Sequence, residues 1–128
     1  MRNILLTMLM LANIQDEIIG KWITSEKDLL IECYKKDKKY YAKIIWFKDE
    51  NPNIKKYSEE GIHKSKWIGY TVMKDFEFKE TYWEGTIYDI KKGKEYLASL
   101  HKKEEHLELK IYLLFIPVKT IIFEKYRH

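Results

Sequence analysis

Residues 82–100 read YWEGTIYDIKKGKEYLASL, and the reading of this stretch decides the fold. Trp83, Ile87, Tyr88, Tyr96 and Leu100 supply the aromatic and aliphatic bulk that suits a pleated surface. Between the two runs, Ile90-Lys91-Lys92-Gly93 offers a turn whose glycine can take a positive φ, so the whole is a β-hairpin. Asp89, at the end of the first strand, is expected to accept backbone hydrogen bonds of that turn. Tyr88 and Asp89 stand side by side and therefore point to opposite faces. Glu84 and Asp89 are separated by an odd spacing, which also places them on opposite faces and argues against a carboxylate pair for acid/base chemistry.

Outward from this hairpin the same plan repeats. Residues 18–23 and 29–35 read as two short strands, with Leu29, Ile31 and Cys33 sharing one face of the second. Residues 40–47 form a third, with Tyr40, Ala42, Ile44 and Trp46 facing one way and Tyr41, Lys43, Ile45 and Phe47 the other. A strand over residues 67–73 follows, with Phe76-Glu77-Phe78 as a short companion. Leu107, Leu109, Ile111, Leu113 and Phe115 alternate with polar or outward positions in the cleanest period of two in the chain. Pro117 is expected to break this strand from a last one over residues 119–126. Residues 48–66 form the one long irregular connection, a length usual for functional loops. Eight or nine short strands joined mostly by tight turns make an all-β chain, and a closed barrel and a two-sheet sandwich both hide the edges of such a chain. Sequential hairpins favour a single antiparallel up-and-down β-barrel.

The N-terminus differs in kind. Met1-Arg2-Asn3 precedes a run from Ile4 to Ala12 that is apolar apart from Thr7. It is far shorter than the roughly 20 residues needed to span a bilayer, so no transmembrane anchor is expected. Residues 1–15 read instead as a signal peptide or apolar leader, cleaved between Ala12 and Asp16, ahead of a single barrel domain over residues 16–128. The expectation is an exported protein, periplasmic or secreted.

Composition narrows the chemistry. The chain is 45% hydrophobic and 15% aromatic, enough for a real core despite its charge, and its net charge of +4 is spread as alternating lysines and glutamates. Such alternation describes solvated loop tips rather than a phosphate-tracking stripe, so no nucleic-acid partner is expected. Cys33 stands alone, which rules out an intramolecular disulfide and makes it a small core residue. His63, His101, His106 and His128 lack converging ligand spacing, and Ser25, Ser58, Ser65 and Ser99 lack the glycines of a nucleophile elbow. No metal, cofactor or catalytic residue is assigned, and an enzyme is not expected.

Gly20-Lys21-Trp22, Ile44-Ile45-Trp46, Ile68-Gly69, Trp83 with Gly85-Thr86-Ile87-Tyr88-Asp89, and Gly93-Lys94-Glu95-Tyr96 occur in an order that resembles the bacterial family called domain of unknown function 2147. The resemblance spans residues 18–126. It implies an exported calycin-like barrel similar to lipocalins and fatty-acid-binding proteins, without an established activity. The lipocalin likeness further implies that Gly20 and Trp22 close the base of the barrel, with Lys125 from the last strand over the indole. Such a cation–π contact is worth ~0.5–2 kcal/mol.

In a barrel, one face of each strand lines the interior: Ile31, Cys33, Ile44, Trp46, Ile87, Tyr96, Ala98, Leu109, Ile111 and Leu113. Of these, Ile44, Trp46, Ile87, Tyr96, Ala98, Leu109 and Ile111 are the candidate ligand-binding set. Barrels of about eight strands are either filled by side chains or hold one small ligand, and the residue types leave both open. The expected function is non-enzymatic binding of a small apolar or amphipathic molecule, with the 48–66 loop gating the mouth. The alternative is an interaction module that uses its outer surface, with Tyr41, Phe47 and Tyr70 as anchors, to bind an envelope protein or polymer.

Overall fold

The computed structural model describes residues 14–48 and 66–127. A 3₁₀ turn, Asp16–Ile18, leads into β1 (Gly20–Thr24), β2 (Leu29–Lys36), β3 (Lys39–Phe47), β4 (Thr71–Lys79), β5 (Tyr82–Asp89), β6 (Lys94–Lys103), β7 (His106–Leu113) and β8 (Ile116–Lys125). Each strand pairs antiparallel with the next, and β1 pairs with β8 through Trp22↔Lys125, so the sheet closes in up-and-down order. Residues 1–13 and 49–65 lie outside the described part, and with them most of the expected leader and of the expected gate. Among the described residues no helix is long and apolar enough to cross a membrane.

Alternation along the strands sends one residue in two inward, and the two ends of the barrel differ. At the base, three inward aromatics reach the turn before β1. Trp22 Nε1 donates to the Ile18 carbonyl at 2.9 Å, Trp83 Nε1 to the Gln15 carbonyl at 3.1 Å, and the Tyr40 hydroxyl to Asp16 at 2.5 Å. Ile18, fully buried, plugs the space between them with Phe76, Leu107 and Phe123. Burial and the Asp16 carboxylate together push the Tyr40 phenol well above its ordinary range. Each of these three aromatics thus satisfies its polar atom while its ring fills the core.

Four bulges set which residues face inward. The register shift between Leu30 and Ile31 pairs them with Trp46 and Ile44, which leaves Ile45 as the extra residue and reverses the parity beyond it. Trp46 therefore turns outward and is 38% exposed, while Phe47 is buried completely. This corrects the strict alternation expected for β3. It also removes Phe47 from any set of outer-surface anchors. Of the other two anchors, Tyr41 is half-buried, stacked on Tyr34 and bonded to Asp75, and Tyr70 packs on the core.

On β4 a shift leaves Val72 unpaired beside Met73, and a second places Asp75, at φ 56°, as an extra residue between Lys74 and Glu77. Residues 71–73 and 76–78 are thereby one bent strand, not two, and the barrel has eight strands. Pro117 likewise sits inside β8, not before it. The shift at Ile111/Tyr112 skips Val118, and a proline without an N–H is tolerated at such a break. Phe115 is not part of β7 but lies in the Leu114-Phe115 turn that follows it.

The β4 bulge explains one glycine. A Cβ at Gly85 would stand 2.5 Å from Phe76 Cδ1 and 2.7 Å from the backbone oxygen of Lys74. Gly→Ala within a strand ordinarily gains about 0.5–1 kcal/mol through backbone entropy. Here the sign reverses, because the backbone oxygen cannot yield as a flexible side chain would. Gly85→Ala is expected to destabilise the barrel by about 2 kcal/mol, read as a lower urea midpoint with an unchanged slope.

Candidate functional site

Above the filled base the inward side chains shorten and spread, and the open end holds a cavity of about 330 Å³. Its walls come from seven strands: Leu29, Ile44, Val72, Ile87, Tyr96, Ile111 and Ile121. Leu113 and Val118 extend the wall to the mouth, and Ile90 folds in from the β5–β6 turn, buried although it lies between strands. The remaining lining groups, Tyr88, Asp89, Lys92 and Lys119, lie at or near the mouth. The lining is mostly apolar, with charge only near solvent.

Asp89 holds the turn that carries Ile90. Its carboxylate accepts the Lys92 N–H at 3.0 Å and its carbonyl the Gly93 N–H at 2.7 Å, with Gly93 at φ 67°. Beside it, Tyr88 packs against Tyr70, whose ring meets Trp67 edge-on, so a row of aromatic rings buttresses one side of the mouth. Both residues border the cavity because it opens at the strand end, where the two faces meet.

Four of the seven candidate binding residues, Ile44, Ile87, Tyr96 and Ile111, line the cavity. Ala98 and Leu109 point inward but do not line the cavity; they are packed over, at 0% and 1% exposure, opposite Ile111 and Leu100 across the β6–β7 ladder. They belong to the solid core. Trp46 lies outside the barrel, for the bulge reason given above. The interior is thus packed below and hollow above. Val72 and Val118 enter the lining through bulges that leave no mark in the sequence pattern, whereas Lys119 shares the face of Ile121 and Phe123 by plain alternation. Ile121 was legible, two residues before Phe123 on an alternating strand.

The residues assigned to the base occupy the closed end. Lys125 Nζ lies 5.0 Å from the centre of the Trp22 indole, and a Cβ on Gly20 would come within 3.1 Å of that nitrogen. Glycine gives the ammonium its path across the base. Cys33, paired with Gly20, is buried, and its thiol is pushed up to about 12 by burial, against the pull of the Lys125 charge. It is an inert core group.

The profile of a family of uncharacterised proteins conserved in bacteria, DUF2147, matches residues 20–125. The chain belongs to that family. Among solved structures, the DUF2147 barrel is similar to protein HP1028 from the human pathogen Helicobacter pylori, described as belonging to the lipocalin family. The two share 17% identity and a TM-score of 0.62, over 87% of this chain and 84% of that one. The likeness establishes a lipocalin-like fold. No curated protein matches the chain.

No group of three or more His, Cys, Asp and Glu is placed to hold a metal ion among the described residues. His101 and His106 do not converge: His106 pairs with Lys103 and His101 with Glu108. The His101 ring stacks on Tyr82 at 5.3 Å, and its Nε2 meets Ser99 Oγ at 2.9 Å, which also meets the Tyr112 hydroxyl at 3.1 Å. Ser99 is buried under these side chains on the outer wall.

Burial, reinforced by Lys110 and Lys103 and opposed by Glu108, lowers the His101 pKa. A group depressed in the folded state binds its proton more readily when unfolded. Its stabilising contribution is therefore whole above the unfolded histidine pKa, about 6.5, and is lost as pH falls through it. The urea midpoint is expected to fall between about pH 7.5 and about pH 5.5, and His101→Gln to remove part of that fall.

Proposed function

We propose that the DUF2147 barrel is an exported, non-enzymatic binding protein that holds a small apolar or amphipathic molecule in its upper cavity. The observation that carries this reading is the cavity itself: about 330 Å³, walled by aliphatic side chains from six strands and Tyr96 from a seventh, and open at one end. That volume is at the lower end of the ~300–1,000 Å³ typical of small-molecule sites. Burial of apolar ligand surface supplies the binding energy at about 25 cal/mol per Å². Tyr96, Lys92 and Lys119 stand where a polar end would emerge. The lipocalin-like fold supports a binding role, and the apolar run from Ile4 to Ala12 supports export.

Native mass spectrometry of the purified protein is expected to show a copurifying small molecule. An environment-sensitive apolar dye such as N-phenyl-1-naphthylamine is expected to bind and to be displaced by that extract. Ile111→Trp, which fills the cavity from β7, is expected to weaken the dye by about tenfold or more, equivalent to roughly 1.4 kcal/mol, at an unchanged circular dichroism spectrum. Absence of both ligand and dye binding, or equal binding by the folded variant, overturns the proposal.

A further inference from the structure

The two-residue turns of this barrel obey one rule with one exception. Asp37-Lys38, Glu80-Thr81 and Glu104-Glu105 are two-residue connections at the base, and all are polar. Each has a residue at positive φ, a conformation for which glycine, asparagine or aspartate is the favoured choice. The β7–β8 turn at the mouth has the same length, but it is Leu114-Phe115, with Leu114 at φ 59°. A large aliphatic residue held in the left-handed region is a genuine outlier.

Burial does not explain it. Leu114 is 81% exposed and Phe115 93%, and Leu113, Ile116 and Val118 continue the exposed apolar surface down both strands. Five large apolar side chains on one protruding tip are not the scattered exposure normal on a soluble surface.

Charge surrounds the tip. The last β6–β7 pair is Leu97↔Tyr112, so continuing the two strands brings the β5–β6 turn level with the β7–β8 turn. That neighbouring turn presents Lys91, Lys92 and Lys94, all exposed. Of its two acids, Asp89 accepts the Lys92 backbone N–H and Glu95 pairs with Lys74 at 4.0 Å, so three lysines face one unpaired acidic charge and the turn is net positive. Lys119 follows Val118 on the other flank.

We propose that the β7–β8 tip is a membrane-docking element: Leu114 and Phe115 enter the acyl boundary of an anionic bilayer while the lysines of the adjacent turn meet its headgroups. An apolar side chain surrounded by lysines matches the layered chemistry of a lipid interface, apolar within and anionic at the surface. A convex apex suits a fluid medium that closes around it, rather than a preformed pocket. Docking in this way sets the cavity mouth against the bilayer. The inference rests on the tip alone and stands whether or not the cavity holds a ligand.

The inert thiol of Cys33 allows a direct test, because a new cysteine can be labelled alone. Full-length Phe115→Cys carrying a nitrobenzoxadiazole label is mixed with vesicles of phosphatidylcholine, with and without phosphatidylglycerol. The label is expected to brighten and shift to the blue on anionic vesicles, and less on neutral ones. The same label at Thr81→Cys, on the base, is expected to show no change. Unlabelled Leu114→Asn/Phe115→Gly supplies a turn that the backbone prefers, so it retains the fold, and its partitioning onto anionic vesicles is expected to fall about tenfold or more. A silent label at position 115 overturns the proposal, as does a response only at position 81 or undiminished binding by the double variant. So does a dimer in solution that the double variant abolishes without any vesicle binding by the wild type.

Discussion

Closure of the base by the turn before β1 is the constraint on which the rest of this barrel depends. Trp22, Trp83 and Tyr40 come from three different strands, and each spends its one polar donor on the same short segment, Gln15 to Ile18. An indole N–H left unpaired in such a place costs about 1–3 kcal/mol. The arrangement therefore fixes where the chain enters the first strand as well as where the rings lie. With Trp22, Trp83 and Tyr40 committed below, the cavity walls of the upper half are left mostly to isoleucine, valine and leucine, and those do not fill a ring of eight strands.

The bulges complete this division. The shifts at Ile45, Val72 and Val118 lie in the upper half, where they alter which side chains reach the cavity. The shift at Asp75 lies lower and is accommodated by the missing side chain of Gly85, over which the Phe76 ring packs. A bulge increases local twist and bends its strand, so irregularities of this kind let a small barrel be narrow at one end and wider at the other. The cavity is a consequence of strand geometry as much as of residue size.

Both functional readings concern the open end. The cavity needs a route for an apolar molecule that is poorly soluble in water, and the apolar hairpin beside its mouth offers contact with the phase in which such molecules reside. The family and the H. pylori structure establish the barrel. The binding role rests on the mostly aliphatic lining, and the docking role on an exposed Leu-Phe turn where the other two-residue turns of the barrel are polar.

Much of this was legible from residue order alone. The 82–100 hairpin, the up-and-down order and the inward positions Ile44, Ile87, Tyr96 and Ile111 follow from local alternation, which a short antiparallel ladder enforces because successive side chains point to opposite faces. The sequence also placed Gly20, Trp22 and Lys125 together through the family likeness. Trp46 and Phe47 exchanged faces, Pro117 joined a strand and Val72 entered the cavity for one reason. A single extra residue reverses parity beyond it, and whether one is inserted depends on the partner strand. Whether the interior was hollow had the same origin: volume belongs to the closed ring, set by strands far apart in the chain, and no local pattern carries it.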